Sequence, residues 1–244
     1  MREPDAAFAD PRQAILYDVF DDDRSDLDAY VAIAEDVGAR HVVDVGCGTG
    51  SLAVRLAGEG LSVVGVDPAA ASLDVARRKP DAELVTWVRG DATALADMDL
   101  AADLVVMTGN VAQVFVSDDD WLRTLNAVHA CLRPGGWFVF ETRRPEVRDW
   151  ENWTIAPTPV LLPDGRAAVV SRTVTKAALP LVTFEGSTTI GDELLRSTST
   201  LRFRERYELE RDLIQRGFIV VNVREAPDRP GKELVFLNQS NPQR

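Results

Sequence analysis

The apolar positions change their period twice along the chain. Over Ser25–Val37, residues Leu27, Tyr30, Val31 and Ala34 recur at helical spacing behind a Ser25-x-x-Asp28 start signal, which predicts a leading helix. From His41 onward, short unbroken apolar runs alternate with amphipathic stretches. That spacing predicts strand His41–Val45, helix Ser51–Glu59, strand Leu61–Val66, helix Ala69–Lys79 and strand Leu84–Val88. Strand Asp103–Met107, helix Asp118–Leu132, a Pro134-Gly135-Gly136 turn and strand Trp137–Glu141 follow. Runs without polar alternation suit strands covered on both faces.

After Arg143 the texture becomes rich in proline, threonine and valine. Turn signals at Asp164-Gly165 and Gly191-Asp192 flank alternating stretches at Val169–Val174 and Val182–Thr189, the pattern of antiparallel sheet. Helix returns at Glu205–Arg216 and Gly217 stops it, and Phe218–Val223 and Glu233–Leu237 read as strands rejoining the main sheet. The expected fold class is α/β. An N-terminal segment and leading helix (1–40) precede an open, Rossmann-like sheet flanked by helices (41–143 and 205–240), with an antiparallel β layer inserted at 144–204.

Composition narrows the function classes. A chain of 244 residues that is 45% hydrophobic suits one core plus one elaboration. Its net charge of −12 sets a repulsive field before any polyphosphate, so nucleic acid is an unfavoured partner. Arg202, Arg204 and Arg206 alternate along one segment, but Glu205, Glu208 and Glu210 interleave with them. No apolar run approaches the roughly 18 residues that a spanning helix needs. Met1–Phe20 is acidic where a signal peptide is basic and then apolar, so a cytoplasmic protein without a membrane partner is expected. Cys47 and Cys131 do not look like a disulfide framework.

The chemistry gathers at strand ends. Asp44-Val45-Gly46-Cys47-Gly48-Thr49-Gly50 lies where the first buried strand hands over to a helix, a position at which open sheets bind ligands. Ser51 stands where a dinucleotide fingerprint requires its third glycine, and no Gly-Lys-Ser/Thr follows, so neither a nicotinamide cofactor nor a P-loop phosphate is indicated. Asp67 closes the next strand and Asp91 follows the third, in Arg89-Gly90-Asp91-Ala92. Asp67 is suited to accept ribose hydroxyls, or else to cap the following helix. Asp91 is suited to accept a purine amine, or else to form a turn.

These residues together resemble the class I S-adenosylmethionine-dependent methyltransferases over most of residues 15–240. Asp44, Gly46, Gly48 and Gly50 match that family's glycine motif, Asp67 its ribose acid, Asp91-Ala92 its adenine contact, and Leu132-Arg133-Pro134-Gly135-Gly136 its turn before the fifth strand. The resemblance implies a seven-stranded sheet and bound S-adenosylmethionine, with S-adenosylhomocysteine as product. It adds Cys47, Pro68, Thr108 and Gly109 to the cofactor-binding residues, and implies that Tyr17 either folds over the cofactor or packs on the core. The runs Met107–Gln113 and Phe140–Arg143 look like a small-molecule branch whose acceptor binds beneath a β cap. That points to the inserted layer as the acceptor-binding region.

Methyl transfer from a sulfonium depends chiefly on alignment, and a general base is required only for a protonated acceptor. Glu141 and, less directly, Asn110 are the candidates at the strand ends. Arg143 is suited to pair an acceptor carboxylate or the nearby Glu146, and Trp150 and Trp153 to wall an acceptor pocket or to seal the linker. Ser117-Asp118-Asp119-Asp120 reads as a helix cap rather than a metal site, and Asp21-Asp22-Asp23 as a solvated loop. His41 and His129 suggest neither zinc nor a histidine base, so no metal is expected. An RNA or protein methyltransferase and a non-catalytic cofactor-binding protein remain the alternatives, and oligomeric state stays open.

Overall fold

The computed structural model describes residues 3–20, 24–162 and 165–241. Three short helices open the chain, α1 (Ala6–Ala9), α2 (Pro11–Ala14) and α3 (Tyr17–Phe20), where no element was expected. Asp10 accepts a hydrogen bond from the Arg12 amide and Pro11 holds the first helical position, which together start α2. A 3-10 turn at Ser25–Leu27 then leads into α4 (Asp28–Asp36). The start signal at Ser25 is not realised as a cap, because neither element has a side-chain hydrogen bond at its N-terminus. The acidic run Asp21–Asp23 and Asp164 of the expected turn lie outside the described residues.

The core continues β1 (His41–Val45), α5 (Ser51–Gly58), β2 (Ser62–Asp67), α6 (Ala70–Ala76), β3 (Val85–Arg89), β4 (Ala102–Met107), α7 (Asp118–Cys131) and β5 (Leu132–Arg143). An insert supplies β6 (Ile155–Leu161), β7 (Ala167–Ala178), β8 (Leu181–Ile190) and β9 (Glu193–Arg202), after which α8 (Arg206–Gln215), β10 (Phe218–Glu225) and β11 (Glu233–Ser240) close the chain. The seven-stranded sheet runs β10-β11-β5-β4-β1-β2-β3, with β11 antiparallel to both neighbours. The insert forms its own antiparallel sheet, β6-β7-β8-β9.

The start of one core strand differs from the sequence expectation for a physical reason. Strand β5 starts at Leu132 rather than Trp137, since the Pro134-Gly135-Gly136 turn is absorbed as an irregularity opposite Ala102–Leu104. A Cβ at Gly136 would come within 2.9 Å of the Ala102 carbonyl, which is why the approach needs glycine. Strand β6 carries Pro157 and Pro159, which an edge strand tolerates. Helix α8 begins with a reciprocal capping box between Glu205 and Glu208, whereas Ser117 caps α7 through the Asp120 amide as expected.

Alternation along each strand feeds two apolar layers. Val105, Met107, Phe138 and Phe140 face α7 and α8, while Leu104, Val106 and Val139 face α4 and α5. Phe140 is fully buried, stacked 4.8 Å from Phe236 and edge-on to Trp121 at 5.7 Å. Phe140→Ala leaves a cavity there and should lower the unfolding free energy by about 3–5 kcal/mol in urea titrations. A loss below about 1 kcal/mol would show that this layer does not hold the sheet.

Candidate functional site

The carboxyl ends of β1 and β2 meet through one turn. The Gly46 and Cys47 amides donate to the Val66 carbonyl, which folds the segment after β1 across the end of β2. Asp67 then accepts the Gly48 amide on one oxygen (2.9 Å) and the Ala69 amide on the other (2.8 Å). A single carboxylate thus fixes the glycine turn and the entry to α6. Its oxygens each keep acceptor capacity toward the cavity they border. Burial raises the Asp67 pKa above its ordinary value despite the two amides.

The glycines differ in purpose. Gly46 has φ +74°, and a Cβ there would lie 2.7 Å from the Val111 side chain. Gly48 has φ +54° and nothing near the position of a Cβ, so its backbone is open to the cavity. At Gly50 a Cβ would strike Trp87 at 2.4 Å, and this residue does not line the cavity. Gly50 therefore serves packing between α5 and β3, unlike Gly46 and Gly48, which border the cavity.

Around the same cavity lie Tyr17, Asp44, Gly46, Cys47, Gly48, Asp67, Pro68, Asp91, Ala92, Thr108 and Gly109, all singled out from the sequence. Asp44 is the most unusual of them. It is 2% exposed, and its Oδ1 has no hydrogen-bond partner among the described residues. Burial, then the neighbouring Asp67 charge, pushes its pKa up to about 7, with Arg24 on the cavity wall opposing. Asp91 is buried in part, but the Thr93 hydroxyl and amide outweigh that effect and hold its carboxyl below the usual range. Burial pushes the Cys47 thiol well up, which leaves it un-ionised and unreactive.

A wall missed in the sequence comes from the N-terminal helices. Phe8 lines the cavity with its ring 5.8 Å from that of Tyr17, and the Ser72 hydroxyl donates to the Phe8 carbonyl at 3.2 Å. Asp18 latches this segment down: it accepts the Thr49 hydroxyl at 2.6 Å and pairs with Lys79 at 2.8 Å. The available signal was faint, an aromatic pair in a polar stretch too short for any period to register. The opposite wall includes Val114 and Phe115. Arg204 fixes that segment by donating to the Ala112, Phe115 and Ser117 carbonyls while stacking 5.2 Å over Trp121.

Glu141 and Asn110 do not line the cavity. Glu141 is buried, accepting hydrogen bonds from the Tyr30 hydroxyl and, at 3.1 Å, from the Asn110 amide. Burial, with the Glu233 charge adding to it, raises its pKa even though Tyr30 acts in the other direction. The Asn110 side-chain amide donates to Glu233 at 3.0 Å, and its backbone takes a left-handed φ of 60°. This arrangement braces the Thr108–Asn110 turn, with Glu141 buried against it rather than on the cavity wall.

Arg143 and Trp153 border a second cavity, under the inserted sheet. Arg143 pairs with Glu233 (3.4 Å), donates to the Gln113 side chain (3.0 Å) and lies 5.0 Å over Trp153. Its expected surface partner Glu146 is taken by Arg144 instead. Trp150 borders neither cavity: it packs edge-on against Phe203 at 4.7 Å and seals the insert. No group of three or more potential metal ligands occurs among the described residues, and no described helix is long and apolar enough to cross a membrane.

Residues 42–136 match a family model described as a methyltransferase domain. A putative methyltransferase of Geobacillus sp. is 33% identical over 106 residues, a stretch covering 43% of this chain and only 42% of that protein. The cypemycin N-terminal methyltransferase of a Streptomyces species is 28% identical over 167 residues, covering 67% of this chain and 68% of its own length. The fold is also that of the S-adenosylmethionine-bound amino pentose methyltransferase of calicheamicin biosynthesis from Micromonospora echinaspora. That structure superposes with a TM-score of 0.69 at 20% identity over 91% of this chain and 94% of its own.

The raised pKa of Asp44 links stability to pH. Between the unfolded carboxyl value and about 7 the folded chain holds a proton that the unfolded chain releases, so this contribution falls as pH rises through that window. The expected slope is up to ~1.4 kcal/mol per pH unit, and Asp44→Asn should flatten it in unfolding titrations from pH 5 to 8. An unchanged slope in the variant would assign the effect elsewhere.

Proposed function

We propose that this chain, whose residues 42–136 form a methyltransferase domain on the class I S-adenosylmethionine-dependent fold, binds S-adenosylmethionine beside Asp44 and Asp67 and methylates a small-molecule acceptor. The observation that carries the reading is the buried, unpartnered Oδ1 of Asp44 on the wall of a cavity that also receives Asp67 and Asp91. An orphaned buried acceptor is costly to fold and calls for a donor from a ligand.

The residues fit the cofactor's groups in order. Asp44 suits the ammonium of the methionine portion, and Arg24 supplies a cation on the same wall for its carboxylate. Asp67 retains lone pairs for two ribose hydroxyls. Asp91 and Ala92 offer an acceptor and an apolar face to adenine, and the open backbone at Gly48 leaves room for close approach. Phe8 and Tyr17 add an aromatic wall to the cavity. Once bound, S-adenosylmethionine supplies an activated methyl group and leaves as S-adenosylhomocysteine.

The chain's own contribution is orientation. Well-aligned partners contribute roughly 7–11 kcal/mol in favourable cases, and a sulfonium needs no acid to depart. Glu141 contributes as a brace of the Thr108–Asn110 turn, so a protonated acceptor loses its proton to solvent or to its own substituents rather than to this carboxylate. The inserted sheet of residues 155–202 and the linkers around it act as the acceptor-binding layer. A small acceptor agrees with the net charge of −12, which disfavours RNA, and with the amino pentose substrate of the structural relative.

Asp67→Ala should weaken S-adenosylmethionine binding about 100-fold, equivalent to ~3 kcal/mol, in calorimetric titration. The variant also loses the two amide contacts of the turn, so circular dichroism is needed to establish that it is folded. An affinity equal to that of the unaltered protein, or no binding by the unaltered protein, defeats the proposal.

A further inference from the structure

The first cavity carries more negative charge than a bound cofactor accounts for. Its described wall holds the carboxylates of Glu3, Asp5, Asp44, Asp67 and Asp91 against a single guanidinium, that of Arg24. In the proposed reading Asp44 meets the methionine ammonium, Arg24 its carboxylate, Asp67 the ribose hydroxyls and Asp91 adenine. Glu3 and Asp5 are left over. Among the described residues neither makes an ion pair or a side-chain hydrogen bond, and Asp5 stands just ahead of α1 without capping it. Both belong to the stretch that carries Phe8, whose ring is 5.8 Å from that of Tyr17. The Tyr17 hydroxyl in turn lies 4.0 Å from the position of a Cβ on Gly109, just past the end of β4. That strand pairs with β1, which carries Asp44, so the aromatic wall reaches the end of the cavity assigned to the methionine portion. Carboxylates without counter-charges beside aromatic faces are the chemistry that holds a cation.

We infer that the acceptor is an amine, drawn into the cofactor's own cavity as a cation by Glu3 and Asp5 and laid against Phe8 and Tyr17, and that its nitrogen receives the methyl group. The inference rests on the methyl-transfer reading and names the substrate class for it. With both ligands in one cavity, the reacting nitrogen reaches the methyl carbon without crossing any chain. The wall also suits nitrogen over an alcohol oxygen. Among the described residues it carries no histidine or lysine, its Cys47 thiol stays un-ionised, and Glu141 is buried away from it. An alcohol, with a pKa near that of water at about 16, finds no group there to take its proton. An alkylammonium, near about 10, releases its proton to water before attack. The nitrogen lone pair then forms the bond to the methyl carbon, the carbon–sulfur bond breaks with its electron pair left on sulfur, and the new ammonium gives a second proton to water. The insert supplies no described residue to this wall and acts through the segments it holds. The Gln13 side chain donates to the Arg196 carbonyl at 3.4 Å, Leu16 packs with Leu162 and Ala168, and Arg204 fixes the Phe115 segment.

The test uses 4-(aminomethyl)benzyl alcohol, the neutral 1,4-benzenedimethanol and the anionic 4-(hydroxymethyl)benzoate as probes, titrated by ligand-observed NMR into the full chain with S-adenosylhomocysteine present. The unaltered protein should bind the amine at least about tenfold more tightly than the diol, and the benzoate least of the three. A variant carrying both Glu3→Gln and Asp5→Asn should lose most of that preference, its amine affinity falling at least about fivefold more than its affinity for S-adenosylmethionine. Incubated with S-adenosylmethionine, the amino alcohol should be methylated on nitrogen, as read by tandem mass spectrometry. Equal affinity for amine and diol, no amine binding at millimolar concentration, tighter binding of the benzoate, a preference that survives in the folded double variant, or a methyl group on oxygen each overturns the assignment. An unaltered protein that binds no cofactor but keeps the carboxylate-dependent preference for the amine would defeat the methyl-transfer reading and leave the cation-binding wall standing.

Discussion

Asp67 is the residue on which the site depends, because its carboxylate ties both the turn after β1 and the entry to α6 to the end of β2. It ends β2, receives the amide of Gly48 from the turn after β1, and receives the amide of Ala69 at the entry to α6. Both contacts are made by a side chain that is almost fully buried, where hydrogen bonds are strong and an unmade one is costly. The same oxygens border the cavity, so the group that shapes the turn is also available to a ligand.

Behind that turn, a second set of buried polar groups fixes the β4 end. Tyr30 and the Asn110 amide converge on Glu141, while the Asn110 side chain, Arg143 and Arg229 converge on Glu233. Charges this deep persist only when each has partners, and removing one member leaves the others unsatisfied. The network therefore acts as a rigid backing for Thr108 and Gly109, which face the cavity. It also links the two cavities mechanically, since Arg143 reaches Gln113 on one side and stacks on Trp153 on the other.

The parts outside the core sheet enclose what the sheet displays. Helices α1–α3 are held against the glycine turn by Asp18 and against α6 by Ser72, closing one side. The insert is anchored by Trp150, Trp153 and Phe203 and by Arg204, whose terminal nitrogens donate to backbone carbonyls of the segment that carries Val114 and Phe115 on the first cavity. The N-terminal helices and the insert thus each hold a segment that lines the first cavity.

The order of strands and helices was legible in the sequence because burial on both faces leaves unbroken apolar runs, and because local turn chemistry marks where they stop. Asp44, Asp67 and Asp91 were legible for a related reason: each sits at or just past the end of a core strand, and in an open sheet those ends lie together. Tertiary structure alone decided the rest. Nothing local to Gly50 reveals Trp87, nothing beside Glu141 reveals Tyr30, and Arg143 chose Glu233 from the far end of the chain over the neighbouring Glu146. Periodicity records which way a residue faces, whereas the identity of what it meets is set by pairings between distant segments that leave no trace in either one.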